Sequence, residues 1–260
     1  MLGLRTLSAL VMAPPALLAT WWGGYAFAAL VALAAAIMCW EWDKIVTRRF
    51  GWPGRVAALG CLAASLLAVA LPATALALVV VTALATAALA APQDRQWAGW
   101  GVLYAGLPSV ALVWLRGDGE TGLHTVFWLL LLVWATDIGA YVCGRLIGGP
   151  LLMPAVSPKK TWAGLIGGVI SAGLVGLAAG LTLSLPHPVL IMIISGALAV
   201  VAQAGDLLES WVKRRWGVKD SSNIIPGHGG VLDRVDGLLA AAAAVALASL
   251  VTGSVVLYWQ

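Results

Sequence analysis

Charge is scarce in this chain. Of 260 residues, only 10% are Asp, Glu, Lys or Arg, against roughly 25% in an average soluble domain. Hydrophobic residues make up 62%, more apolar surface than a soluble globule of this size can cover. Disorder is excluded by the same balance, because disordered chains are charged and poor in apolar residues. Cysteine is scarce too. Cys39, Cys61 and Cys143 are odd in number, lack ligand-like spacing and lie in or beside apolar stretches, which excludes a disulfide scaffold. The 30 glycines keep no three-residue period, which excludes collagen. An integral membrane protein remains.

What the chain has is long apolar runs. Nine can be drawn, near residues 6–20, 22–40, 55–71, 73–91, 97–115, 121–142, 162–184, 187–208 and 238–258. A helix needs about 20 such residues to cross the hydrocarbon core. The runs are continuous, not alternating, which argues against a β-barrel. They consume most of the chain and leave no room for a separate soluble domain. Arg5 ahead of an apolar stretch resembles a signal peptide, but no small-residue cleavage site precedes Trp21 and Trp22. The first run is therefore expected to be a retained helix. The expected fold is all-α, a polytopic membrane protein of about nine transmembrane helices. Helices one to five fall in residues 1–120 and six to nine in 121–260, as one membrane-embedded unit.

The basic residues set an expected orientation. With the helices alternating in direction, fourteen of the 15 Lys and Arg residues fall on one side and only Arg116 on the other. By the positive-inside rule the N-terminus is cytoplasmic and the C-terminus external. The net charge of +4 is then a topology signal and gives no sign of a nucleic-acid partner. Many of the 14 Trp fall near span ends, as interfacial anchors do. Glycine pairs and alanine runs read first as close helix contacts.

Most of the polar chemistry falls in three stretches on the basic side. The first ends helix six with Asp137, Tyr141 and Arg145. The second is the loop Ser157-Pro158-Lys159-Lys160-Thr161. The third runs from Gly205 to Gly237. In it Asp206, Glu209, Ser210 and Lys213 share a helix face at i, i+3, i+4, i+7. Lys219, Asp220 and a polar turn follow, then Gly227, His228, Gly229 and Gly230, then Asp233, Arg234 and Asp236. Topology suffices to explain Arg214 and Arg215, and capping or ion pairing is the plain reading of most carboxylates. Asp137 and Asp206 lie inside apolar helices, where an ionisable group is costly and marks a polar cavity or a function. Glycines around His228 permit backbone N–H groups to approach an anion. Carboxylates suit Mg²⁺, which binds through one or two of them plus substrate phosphates, while Lys and Arg suit the phosphates. The residues thus suggest metal-dependent handling of a polyphosphate at a membrane face, without a Walker pattern.

The stretch Ser210-Trp211-Val212-Lys213-Arg214, then Lys219-Asp220, then Ile225-Pro226-Gly227-His228-Gly229-Gly230-Val231-Leu232-Asp233-Arg234-Val235-Asp236 resembles the signature of phosphatidate cytidylyltransferases, also called CDP-diacylglycerol synthases. Gly205-Asp206-Leu207 resembles the family's metal-binding helix end, Ser157 to Trp162 its second loop, and Asp137, Tyr141 and Arg145 a third patch. The likeness covers residues 134–237; upstream it is limited to hydrophobicity and the pair Glu41-Trp42. The family usually carries Glu or Gln where this chain has Ala163, and it varies at Lys159, which makes Lys160 the firmer phosphate ligand.

The resemblance implies that CTP and phosphatidate give CDP-diacylglycerol and pyrophosphate with Mg²⁺, in a homodimer in the cell inner or plasma membrane. It implies a metal site of Asp206 and Asp233 with Asp236 close by. Lys160, Lys219 and Arg234 receive phosphates, and His228 shapes the nucleotide loop with Gly227, Gly229 and Gly230. Asp137, Tyr141, Arg145, Ser157, Lys159, Thr161, Ser210, Lys213 and Asp220 complete the substrate site. The competing expectations are a CTP-using enzyme acting on an isoprenoid lipid or dolichol-like alcohol, and a transporter of a phosphorylated solute. A transporter would concentrate charge near the midplane in broken helices.

Overall fold

The computed structural model describes every residue except Met1, Asp118, Pro226, His228 and Gln260, and leaves aside the side chains of residues 1–11. Among the described residues it has nine α-helices: α1 (Leu2–Trp22), α2 (Gly24–Thr47), α3 (Trp52–Leu67), α4 (Pro72–Leu89), α5 (Arg95–Arg116), α6 (Glu120–Leu146), α7 (Trp162–Thr182), α8 (Pro188–Arg215) and α9 (Leu232–Thr252). Each apolar run has become one helix. Among the described residues seven helices, α2 and α4–α9, are long and apolar enough to cross a membrane. Helix α3, with 16 residues, is shorter. The protein is a multi-pass membrane protein.

Helices α6 and α8 run past their apolar stretches to Leu146 and Arg215, as the helix faces read there require, because Arg and Lys are good helix formers once the chain reaches water. Two departures from the sequence reading have local causes. Helix α9 starts at Leu232, six residues ahead of its apolar run, so Asp233, Arg234 and Asp236 are helical. Acidic residues suit the first turn of a helix. The α6–α7 connection is an antiparallel hairpin of β1 (Leu151–Met153) and β2 (Ser157–Thr161), pairing Leu151 with Thr161 and Met153 with Ser157 across an irregularity. Pro158 is tolerated because a two-stranded sheet has only edge strands.

The helices divide into two compact units, residues 1–123 with 215–235 and residues 124–214 with 236–260. In the first unit, glycines let α2–α5 approach closely. A Cβ at Gly54, Gly101 or Gly106 would meet Asp43, Trp42 or Val79. Trp42 is 5% exposed, and its Nε1 donates to the Trp97 carbonyl at 2.7 Å. Arg116 is buried. Its Nε donates to Thr20 O at 2.6 Å and its Nη atoms to Trp21 O at 3.1 Å and Gly117 O at 3.0 Å. It therefore closes the last carbonyls of α1, which no helical N–H can reach.

In the second unit, α7 buries a seam of Gly164, Gly167, Gly168, Gly173, Gly176 and Gly180. A Cβ at Gly164 would lie 2.9 Å from Ala140 O, at Gly167 2.8 Å from Gly139 O, and at Gly176 2.6 Å from Ile191 O. Backbone thus meets backbone on the α6 and α8 sides. The opposite face of α7 exposes Ile166, Ile170 and Leu174, as a lipid-facing surface should.

Candidate active site

Two groups of polar residues stand out, one in each unit. The first is built on the α6–α9 unit. Alternation along β2 leaves Lys159 exposed and turns Lys160 inward. Lys160 Nζ lies 2.6 Å from Asp206 Oδ2 on α8, and the two side chains are 22% and 34% exposed. One helical turn on, Ser210 Oγ donates to Asp206 Oδ1 at 3.3 Å. Asp236 on α9 lies within electrostatic reach of Asp206, Asp137 and Lys160. Its Oδ1 accepts Gly237 N at 2.8 Å. A glycine explains how α8 and α9 come so close: a Cβ at Gly205 would lie 2.6 Å from the Ala240 Cβ and 2.9 Å from Asp236 O. Asp206, the next residue, is thereby carried up to Asp236. Four elements converge, bringing three carboxyls to one ammonium.

Around this cluster, the other expected residues hold structural partners. Thr161 is the N-cap of α7, its Oγ1 accepting Gly164 N at 3.0 Å. Glu209 and Lys213 form a buried ion pair at 2.5 Å. The helix face foreseen from Asp206 to Lys213 thus splits in two. Asp206 and Ser210 join the Lys160 cluster, while Glu209 pairs with Lys213. On α6, Arg145 Nη1 donates to Tyr141 OH at 3.2 Å, with both residues exposed. Ser157 is half-buried at the start of β2.

The second group is the loop between α8 and α9, in the other unit. Two carboxylates hold it. Asp233 Oδ2 accepts Ser221 N at 2.9 Å, Ser221 Oγ at 2.9 Å and Gly230 N at 2.7 Å. Glu41 of α2, 0% exposed, accepts Ser222 Oγ at 2.6 Å and Val231 N at 2.9 Å on Oε1, and Leu232 N at 2.8 Å on Oε2. Residues 221 and 222 are thus fastened to residues 230–232. Gly230 lies at the crossing, where a Cβ would collide with Ser221 Oγ and Glu41 Oε1. Gly227 and Gly229 have φ of 77° and 84°, which side chains disfavour, and Ile225 N donates to Gly229 O at 2.9 Å. Lys219, Asp220 and Arg234 are exposed on this frame. His228, expected to shape the loop, lies outside the described residues.

The sequence reading assigns Asp206 and Asp233 to the metal, with Asp236 close by. Asp233 Oδ2 accepts donors of its own loop, and Asp236 has Asp206 and Asp137 within electrostatic reach. Among the described residues, no cluster of three or more His, Cys, Asp or Glu side chains could by itself hold a metal ion. The donor set of Asp206 and Asp236 nevertheless fits Mg²⁺, which takes one or two carboxylates and fills its octahedron with water and substrate phosphate. The sequence reading gives Glu41 no role beyond the Glu41-Trp42 pair. Its signal is a carboxylate one residue past the apolar run of α2, close in kind to what singles out Asp137 and Asp206.

The sequence matches the cytidylyltransferase family over residues 3–251. The chain belongs to that family. It is 39% identical to a phosphatidate cytidylyltransferase of Brucella suis over 250 residues, covering 92% of this chain and 90% of the relative. A protein of the same name from Rickettsia bellii is 46% identical over 150 residues, 54% of this chain and 63% of the relative. One from Bacillus subtilis is 40% identical over 138 residues, 53% and 51% of the two chains. The family match begins at residue 3 and so runs through the first five helices, where the likeness in the sequence is limited to hydrophobicity and the Glu41-Trp42 pair.

Proposed function

We propose that this cytidylyltransferase transfers the cytidylyl group of CTP to phosphatidate, giving CDP-diacylglycerol and pyrophosphate. One observation carries the reading. Lys160 and Asp206 form an ion pair beside Asp236 and Asp137 at one end of apolar helices, in a chain whose relatives bear that activity in their names.

The nucleophile is a phosphate oxygen of the lipid, ionised at neutral pH, so no strong general base is needed. The task is to bring two polyanions together and to neutralise charge as pyrophosphate departs. Asp206 and Asp236 would hold Mg²⁺, with Asp137 adding negative charge nearby, and the ion would supply charge neutralisation for the phosphates. Lys160 donates to a phosphate oxygen. Ser210 keeps the Asp206 carboxylate oriented. Lys219 and Arg234 receive phosphates from the α8–α9 loop, with Asp220, Gly227, His228, Gly229 and Gly230 shaping the nucleotide side. Asp137, Tyr141, Arg145, Ser157, Lys159, Thr161 and Lys213 complete or support the substrate wall. The acyl chains stay in the bilayer, which requires the reacting headgroup at the membrane face. The enzyme is placed in the cell inner membrane as a homodimer, with N-terminus and active site cytoplasmic and C-terminus external.

The test is Mg²⁺-dependent conversion of labelled CTP into a CDP-lipid by the purified protein in mixed micelles. Phosphatidate, an isoprenoid ether lipid phosphate and a dolichol-like alcohol are offered separately. Turnover with phosphatidate is expected. Turnover confined to another lipid, or solute uptake into proteoliposomes without turnover, overturns the proposal.

A further inference from the structure

Glu41 has no role in the reaction as written above, yet burying a carboxylate in an apolar helix is costly unless every lone pair is used. Packing alone would be met by an uncharged side chain of the same size. The charge is spent on one segment: Ser222 Oγ, Val231 N and Leu232 N all donate to it. These donors come from two parts of the chain around the α8–α9 loop, and two of them are Val231, just before α9, and Leu232, its first residue, where backbone N–H groups lack helical partners. Asp233 fastens the neighbouring pair of residues, 221 and 230. The loop is therefore a closed ring with two clasps. One belongs to the loop's own helix, and the other comes from α2, 181 positions away from Ser222. Asp233 can travel with the loop, but Glu41 cannot. It ties the ring to α2 of the α2–α5 bundle.

We infer that Glu41 is a positioning residue: by clasping Ser222, Val231 and Leu232 it sets the α8–α9 loop, and with it Lys219 and Arg234, for the phosphates of the nucleotide. The inference rests on the proposed function for the identity of the nucleotide, but the clasp itself can be read without turnover. Oε1 takes two donors and Oε2 one. Glu41→Gln keeps the shape while replacing one acceptor by a donor aimed at an N–H or O–H, so at least one hydrogen bond turns repulsive. Ser222→Ala removes one donor and leaves the charge with its two backbone partners.

The experiment combines hydrogen exchange of the full-length protein in detergent with steady-state kinetics. In Glu41→Gln, the peptide containing residues 219–232 should exchange ten- to a hundredfold faster while peptides of α2 keep their protection. The kcat/KM for CTP should fall by a similar factor, with KM for the lipid within about twofold of wild type. Ser222→Ala should fall less, and the double variant should be no worse than Glu41→Gln alone, because both act through one clasp. Unchanged exchange in Glu41→Gln overturns the inference. So does a loss of protection throughout α2, or an equal loss towards both substrates, either of which marks a merely structural role. A loss in the double variant equal to the sum of the single ones also overturns it. A wild-type protein that makes no CDP-lipid refutes the proposed function instead, and exchange alone then decides whether Glu41 holds the loop.

Discussion

Lys160→Ala separates phosphate binding from membrane topology among the basic residues. Lys160 is part-buried, and its Nζ reaches a carboxylate oxygen at 2.6 Å, so a phosphate oxygen presented there lies within reach of the same ammonium. A charge-assisted hydrogen bond of this kind contributes about 1.5–3 kcal/mol. Made in the transition state, it is worth about ten- to a hundredfold in rate, and Lys160→Ala should lower kcat/KM by that factor. Lys219→Ala should behave likewise. Arg215 is the control. Its guanidinium lies 5.2 Å from the Trp97 ring and 5.6 Å from the Trp216 ring, and Arg48 donates to the Trp216 carbonyl. Arg215 belongs to an aromatic cluster in the first unit and to none of the proposed contacts, so Arg215→Ala should leave turnover within a few-fold. The assay is initial rate against CTP and phosphatidate, with folded protein matched by detergent size-exclusion. If Arg215→Ala is crippled while Lys160→Ala and Lys219→Ala stay active, the phosphate pocket has been assigned to the wrong bases.

Asp206→Asn and Asp236→Asn keep size and remove charge, and should lower activity by orders of magnitude without unfolding; near-normal rates at limiting Mg²⁺ would remove both from the site. Gly205→Ala inserts a methyl group 2.6 Å from the Ala240 Cβ and should destabilise by about 1–3 kcal/mol, read as a lower Tm in detergent; an unchanged Tm contradicts the close approach of α8 and α9. Arg116→Gln leaves carbonyls at the end of α1 unpaired at a cost of about 1–3 kcal/mol, so thermal stability should fall while the surviving protein keeps its kcat. Loss of kcat at full stability would refute that purely structural role. A periplasmic reporter fused after Gln260 should be active, and activity only of a cytoplasmic reporter contradicts the orientation proposed from the basic residues.

Hydropathy was legible because lipid demands it along the whole length of a helix. Among the described residues each run is therefore a helix, and seven of these are long and apolar enough to span. Polar residues were harder to place, since the sequence does not say whether a carboxylate serves a ligand or the backbone. Asp233 and Thr161 look like ligands in the sequence. Both are engaged by N–H groups at helix starts, a need that any helix creates. The start of α9 was only partly legible, because the apolar run begins at residue 238 and the Asp residues ahead of it read as a cap of the last helix, whereas α9 begins at Leu232. The pairing of Lys160 with Asp206 spans 46 positions and depends on the β1–β2 turn and on glycines at helix crossings. No local pattern announces it. Asp206 itself was legible from its cost inside an apolar run, and a similar argument applied to the end of the run in α2 would have found Glu41.

The glycine seam of α7 bears on how the second unit can move. Where side chains interdigitate, two helices shift by exchanging rotamers, one pair after another. Along α7 there are few rotamers to exchange, because Gly164 and Gly167 face the carbonyls of Ala140 and Gly139 at contact distance. Such a joint either holds or slides as a whole. The β1–β2 hairpin, which carries Lys160, ends at the Thr161 cap where this joint begins, so the base that faces Asp206 is mounted on packed backbone.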